Sequence, residues 1–128
     1  MKVIRKPDGG WKKIIFYNTT VTALLQHNGQ YLEKMQEVFR VFYENRDEVA
    51  LLWRPHPLMG ATIETMRQEL RKNYQEIVGK YIEEGWGIYD DSSNMNRAIC
   101  LSDAYYGDWS SLLHLYKKIG KYIMIQSI

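Results

Sequence analysis

The run Val49-Ala50-Leu51-Leu52-Trp53 is apolar at every position. A strand with one face in water alternates apolar with polar residues, so a short unbroken apolar run describes a strand covered on both faces, as in a parallel sheet. Such a strand needs helices on either side, and the rest of the chain supplies them. Lys13-Ile14-Ile15-Phe16-Tyr17 is a β-branched and aromatic run that reads as the first strand. Trp86-Gly87-Ile88-Tyr89, the segment from Ser102 to Tyr106, and Tyr122-Ile123-Met124-Ile125 are the remaining strand candidates. Helical segments separate them. Regular alternation of this kind predicts an α/β fold with three layers: a Rossmann-like, open parallel sheet of about five strands, right-handed crossovers and helices on both faces. The expected sheet order is 3-2-1-4-5, with the chain reversing direction between strands 1 and 4. Ligands of open α/β sheets sit in the crevice at such a reversal.

The helices announce themselves by period. From Gln30 to Asn45 the residues Leu32, Met35, Phe39 and Phe42 repeat at helical spacing, with Glu33, Lys34, Glu37 and Arg40 opposite. A second stripe, Ile63, Met66, Leu70, Tyr74, Ile77 and Tyr81, predicts one helix from Ile63 to about Glu84, capped by Thr62 and closed by Gly85. Asp90-Asp91-Ser92-Ser93 reads as a set of caps for a short helix containing Met95, Ala98, Ile99 and Leu101. Adjacent aspartates point apart, which makes capping a better reading of Asp90 and Asp91 than a metal or acid–base pair. Val21 to Gln26 is compatible with either a helical turn or extended chain.

With 128 residues, the chain reads as a single domain, 1–128. A net charge of +2 and no stripe of Lys or Arg argue against nucleic acid as a partner. One cysteine, Cys100, allows no disulfide within the chain and no thiolate metal cluster, and cytoplasmic residence fits. The N-terminal basic residues have no apolar stretch behind them, so no signal peptide is expected, and no run approaches the length of a membrane span. Ten tyrosines and four tryptophans are a high aromatic load, most simply explained by a packed core.

Three polar loops are expected at one edge of this sheet. Ser102 to Ser111 reads as a short strand, a tight turn at Gly107 and the first turn of a helix capped by Asp108, with Leu112, Leu115, Tyr116 and Ile119 as its apolar positions and Gly120 as its end. The amides of Trp109, Ser110 and Ser111 then lack intrahelical partners, and with two hydroxyls beside them they form an anion site, most plausibly for phosphate. The same residues also suit an ordinary capped helix. Asn18, Thr19 and Thr20 end the first strand, either to hydrogen-bond a ligand or to cap the next segment. In Arg54-Pro55-His56-Pro57 the two prolines forbid continuation of helix or ladder and restrict the backbone around His56. That loop either positions a cationic, proton-transferring histidine or is a rigid turn with His56 exposed.

With those loops in hand, the sequence resembles the C-terminal lobe of the CDP-glycerol glycerophosphotransferase family, the teichoic-acid polymerases of two-lobed glycosyltransferase (GT-B) architecture. Ile14-Ile15-Phe16-Tyr17-Asn18-Thr19-Thr20 looks like that family's strand ending in a Pro-Thr turn, and Leu52-Trp53-Arg54-Pro55-His56-Pro57 is similar to its basic-x-His-Pro-like segment. Tyr89-Asp90-Asp91 stands where the family has a Tyr-Asp or Tyr-Glu-Asp turn. Ser102-Asp103, Gly107-Asp108-Trp109-Ser110-Ser111 and Gly120-Lys121-Tyr122-Ile123-Met124-Ile125 look like its Ser-Asp, Thr-Asp-Tyr-Ser-Ser and Lys-Pro-Ile-Ile run. Trp109 stands for the usual Tyr, Asn18 for the Pro before the first Thr, and Tyr122 for the Pro of the last strand.

The resemblance implies that Ser110 and Ser111 bind the pyrophosphate of a CDP-linked or nucleotide-sugar donor, that Thr19 or Thr20 helps, and that His56 sits in the active centre. Arg54 or His56 would neutralise the leaving phosphate, with the donor phosphates on the helix starting at Asp108 and no metal or other cofactor required. It also implies a missing N-terminal lobe that would bring a second catalytic histidine and the acceptor side. The chain alone is then expected to be a donor-binding half with little transfer activity, peripheral to the membrane in a longer protein context, and partnered by that lobe or by self-association. The alternative is a non-catalytic α/β regulatory or protein-interaction module, with Trp11, Trp53 or Trp86 as an exposed anchor. A dinucleotide-binding domain is disfavoured because no Gly-x-Gly-x-x-Gly follows the first strand. A phospho-acceptor signalling domain is disfavoured by the position of the Asp90-Asp91 pair.

Overall fold

The computed structural model describes residues 4–92 and 94–127. Five strands, β1 (Lys13–Thr19), β2 (Val49–Pro55), β3 (Ile88–Tyr89), β4 (Ala104–Gly107) and β5 (Tyr122–Ile125), alternate with helices α1 (Val21–His27), α2 (Gly29–Glu44), α3 (Met59–Met66), α4 (Arg71–Glu84), α5 (Met95–Leu101) and α6 (Leu112–Lys118). The sheet is parallel throughout, in the order β3-β2-β1-β4-β5 that the alternation of elements predicts. Its carboxyl edge therefore gathers the ends of β1, β2 and β4. No described helix is long and apolar enough to cross a membrane.

Both faces of the sheet are covered, unequally. Tyr17, Leu51 and Trp53 point to one face, where they pack with Leu24 of α1, with Tyr31, Leu32, Met35, Val38 and Phe39 of α2, and with residues of α3 and α4. Phe16, Leu52 and Tyr105 point to the other, against Ala98 and Ile99 of α5 and Leu113 and Tyr116 of α6. The aromatic load is thus mostly core. Trp53, Tyr17, Tyr31, Tyr105 and Tyr116 are among the largest fully buried side chains. Burial pushes the Tyr116 phenol up to about 12, against the opposing hydrogen bond it shares with Ser102.

Four expectations need correction. The helix expected over Ile63 to Glu84 is two helices, α3 and α4, joined by a 3₁₀ turn at Gln68–Leu70, and Thr62 lies inside α3 instead of capping it. Arg67 leaves helical geometry (φ −143°, ψ 55°), and its guanidinium donates to Asn28 Oδ1 and the Met66 carbonyl. The break lets Ile63 and Tyr74 both bury although Met66 between them stays exposed. Second, the prolines do not stop β2 at Arg54. Pro55 still pairs in register with Thr19, because its nitrogen lies on the β3 side of the strand, where β3 has already ended, and no ladder bond is lost. Third, the cap of α5 is Asn94, whose side chain accepts from the Arg97 amide; Asp90 accepts from the Ser92 amide instead, and Ser93 lies outside the described residues. Fourth, of the three tryptophans expected as exposed anchors, Trp53 is fully buried and Trp86 half-buried against the larger core cluster, leaving Trp11 in water.

Gly85, in the left-handed region, closes α4, and Val21 onward is helical. At Gly107 (φ 146°) the requirement for glycine is steric. A Cβ there would run into the Asn18 carbonyl oxygen, so only glycine lets β4 end this close to β1.

Candidate functional site at the carboxyl edge of the sheet

At the reversal between β1 and β4 the polar residues are bonded to one another. Asn18 is buried; its Nδ2 donates to the Tyr105 hydroxyl at 2.9 Å and to Ser110 Oγ at 3.2 Å, and its carbonyl accepts from the Asp108 amide. Thr19 is fully buried, and its Oγ1 accepts from Trp53 Nε1. Thr20 caps α1 by accepting from the Ala23 amide.

Asp108 is the hub. Only 5% exposed, it accepts on Oδ2 from the Thr20 amide (2.8 Å), the Thr20 hydroxyl (3.1 Å) and the Tyr31 hydroxyl, and on Oδ1 from Gln126 Nε2 (2.7 Å). Gln126 in turn accepts from the Tyr17 hydroxyl. The carboxylate therefore ties together the end of β1, the start of α2 and the residue after β5. Burial, and then the negative charge of Asp108, hold the phenols of Tyr17 and Tyr31 well above the ordinary tyrosine range.

Asp108 does not cap α6, which begins four residues later; Ser111 occupies the cap position without a side-chain bond to an amide. Ser110 Oγ accepts from the Leu112 amide, while Ser111 and Trp109 are exposed, Trp109 at 70%. The loop thus presents Trp109 and Ser111 outward, turns Asp108 inward, and holds the half-buried Ser110 hydroxyl between the Asn18 side chain and the Leu112 amide. Thr19, Thr20 and Asp108 meet protein partners, and in this arrangement their bonds shape the loop.

A distinct cleft of about 500 Å³ opens at the ends of β2 and β3, lined by His56, Tyr74, Tyr89, Asp91 and Ser92 together with Gly60 and Gly79. His56 is exposed to it. Its Nδ1 accepts from the Leu58 amide at 3.1 Å, so the neutral imidazole carries its proton on Nε2. Arg54, on the same loop, is buried and points beneath the cleft wall. Its Nη2 donates to the Ser92 carbonyl at 2.7 Å, and its Nε stands 3.8 Å from Asp90 Oδ2 without a hydrogen-bond partner. Asp90 also faces Arg97 at 3.7 Å. Arg54 therefore anchors the 90–92 loop that forms one side of the cleft.

Of the expected site residues, His56 lines the cleft, Arg54 supports it, and Ser110 and Ser111 lie two strands away at the end of β4. Reading the sequence alone missed Tyr31, Tyr105 and Gln126, whose hydroxyls and amide hold the loop between β4 and α6. Nothing local marks them: Tyr31 falls outside the stripe of Leu32, Met35, Phe39 and Phe42, and Gln126 just past the last strand, with no pattern that points to partners in other elements. Among the described residues no three His, Cys, Asp or Glu side chains gather as a metal site.

The fold and this edge define a doubly wound parallel α/β domain with a carboxyl-edge cleft. Comparison with protein-family models, with curated proteins and with solved structures returned no match for the chain.

Proposed function

We propose that this domain binds the nucleotide-diphosphate donor of a glycosyltransferase or CDP-glycerol glycerophosphotransferase-like reaction, and that it works as one half of a transferase. The observation that carries the reading is the cleft beside His56 at the carboxyl ends of β2 and β3, the edge where open parallel sheets take ligands. The nucleoside lies in the cleft against Tyr74 and Tyr89, and the diphosphate extends toward Ser110 and Ser111. The ends of β2 and β4 are two strand spacings apart, about 10 Å, a gap that a diphosphate-linked donor bridges. His56, with Nε2 carrying the proton, donates a hydrogen bond to an oxygen of the leaving phosphate and orients it. Arg54 acts through the 90–92 loop, as a positioning residue.

Amide NMR titration with CDP, CDP-glycerol, UDP and inorganic phosphate tests this reading. Saturable shifts at His56, Tyr89, Ser110 and Ser111, larger for one nucleotide and abolished by Ser110→Ala with Ser111→Ala, are expected. No shift at ligand concentrations several times about 1 mM removes the donor site from the isolated domain.

A second reading, a non-catalytic interaction module, is favoured by a separate observation. Tyr122 and Met124 of β5 are 85% and 65% exposed at the rim of an apolar groove. The same titration separates the two, since such a module leaves the nucleotide loops unshifted.

A further inference from the structure

We propose that β5 is a self-association edge, where two copies of this chain pair antiparallel into one continuous sheet. The inference stands independently of donor binding.

The two ends of the sheet are treated differently. At one, β3 has only two residues, both half-buried, and the Tyr81 hydroxyl donates to the Ile88 carbonyl. At the other, β5 pairs with β4 alone. The Gln126 amide donates to the Gly107 carbonyl, so with the alternation of a strand the amides and carbonyls of Ile123 and Ile125 point away from β4, into solvent. Proteins shield such edges with charges, prolines or bulges. Tyr122-Ile123-Met124-Ile125 has none of these. The nearest charge, Lys121, is folded inward, where its Nζ donates to the carbonyls of Ile99, Cys100 and Ser102 and closes the end of α5. The edge is apolar on both faces: Tyr122 and Met124 border a groove of about 640 Å³ floored by Tyr106, and Ile125 is half exposed on the opposite face.

The occupant this edge fits is a second β5. Unpaired main-chain groups demand an extended strand. A twofold axis through Met124 sets Ile123 opposite Ile125 of the other copy, and these residues are the ones whose amides and carbonyls are free to exchange hydrogen bonds. Met124 then meets its own copy across the axis, on the groove face. A twofold brings every charge near its own image; the residues from Tyr122 to Gln126 carry none, and the two charged residues that line the groove, Lys34 and Glu37, are of opposite sign, so the strand itself brings no like charges together. Pairing shifted by one residue would set Met124, whose amide and carbonyl are turned to β4, opposite Ile125, whose groups point outward, and the hydrogen-bonded pairs would be lost.

The test is sedimentation of the full chain across a concentration series, beside two variants. The wild type is expected to dimerise, and Met124→Lys, at a position 65% exposed and so with little folding cost, to weaken dimerisation at least about tenfold. In a Cys100→Ser background, Met124→Cys is expected to cross-link to a covalent dimer on mild oxidation, because residues opposed across a non-hydrogen-bonded pair bring their Cβ atoms within about 5 Å. Met66→Cys, exposed but remote from β5, is expected to stay monomeric and serves as the control. The cross-linking arm reads the register in folded protein even if Met124→Lys lowers the yield. A wild type monomeric at about 100 μM, a dimer indifferent to both Met124 variants, or an edge that takes up only an added apolar peptide would each overturn the proposal.

Discussion

Removing the Asp108 carboxylate is expected to unfold the carboxyl edge of the sheet. In Asp108→Ala the Thr20 amide, the Tyr31 hydroxyl and the Gln126 side-chain amide all lose the acceptor they share. A buried group left without a partner costs about 1–3 kcal/mol, and neighbours in one network do not add fully. The expected loss is about 3–5 kcal/mol, a large part of the roughly 5–15 kcal/mol that holds a domain together. With a urea slope of about 2 kcal/mol/M, the unfolding midpoint should fall by about 2 M. Asp108→Asn is the informative companion. Its remaining oxygen can still accept from Thr20 and Tyr31, and Gln126 can turn its amide to meet the new donor while Tyr17 rotates its hydroxyl. Only charge-assisted strength is lost, about 1–2 kcal/mol. Urea unfolding followed by far-UV circular dichroism measures both. A loss under about 1 kcal/mol for Asp108→Ala, or equal losses for the two variants, would refute the assignment of Asp108 as the structural hub of this edge.

Three further outcomes are expected. Gly107→Ala, which puts a Cβ against the Asn18 carbonyl at positive φ, should destabilise by at least about 2 kcal/mol in the same unfolding assay, with β1–β4 amide shifts moving first. The phenols of Tyr17, Tyr31, Tyr74 and Tyr81 are raised chiefly by burial. Above pH 10 the unfolded chain therefore binds fewer protons than the native one, and stability should fall as pH rises, by up to about 1.4 kcal/mol per pH unit for each phenol; tyrosinate absorbance rising cooperatively with unfolding, not gradually before it, is the check. Arg54→Ala removes the bond to the Ser92 carbonyl and one of the two guanidiniums facing buried Asp90, Arg97 remaining at 3.7 Å, and should cost about 2 kcal/mol and broaden the amide signals of residues 90–92, whereas His56→Ala at an exposed position should change stability by less than about 0.5 kcal/mol.

How much of this was legible in the sequence depends on the range of the physics. Strand, helix and stop signals are local: Val49 to Trp53 carries its double burial in its own composition, the stripe from Leu32 to Phe42 its helical face, and Gly85 its left-handed stop. Once the elements alternate, right-handed crossovers leave few sheet orders, which is why 3-2-1-4-5 was reachable. The site was legible only as loops. That Asn18 to Thr20, Arg54 to His56 and Gly107 to Ser111 share one edge follows from topology.

Which atoms in those loops face inward does not. Asp108 has the local look of a helix cap, yet its partners are Thr20, 88 residues away in sequence, and Tyr31, 77 away, delivered by the register of β4 against β1. The break at Arg67 is decided likewise, by a guanidinium reaching Asn28 across the helical layer, against an unbroken apolar stripe. The sequence by itself determined the five strands, the main helical faces and, through their alternation, the order of the sheet, because backbone hydrogen bonding and burial period act between near neighbours and right-handed crossovers do the rest. Only the tertiary structure decided which polar groups are consumed in holding the edge, which face a cleft, and that β5 is left open, because each of those depends on distances between segments that no local pattern encodes.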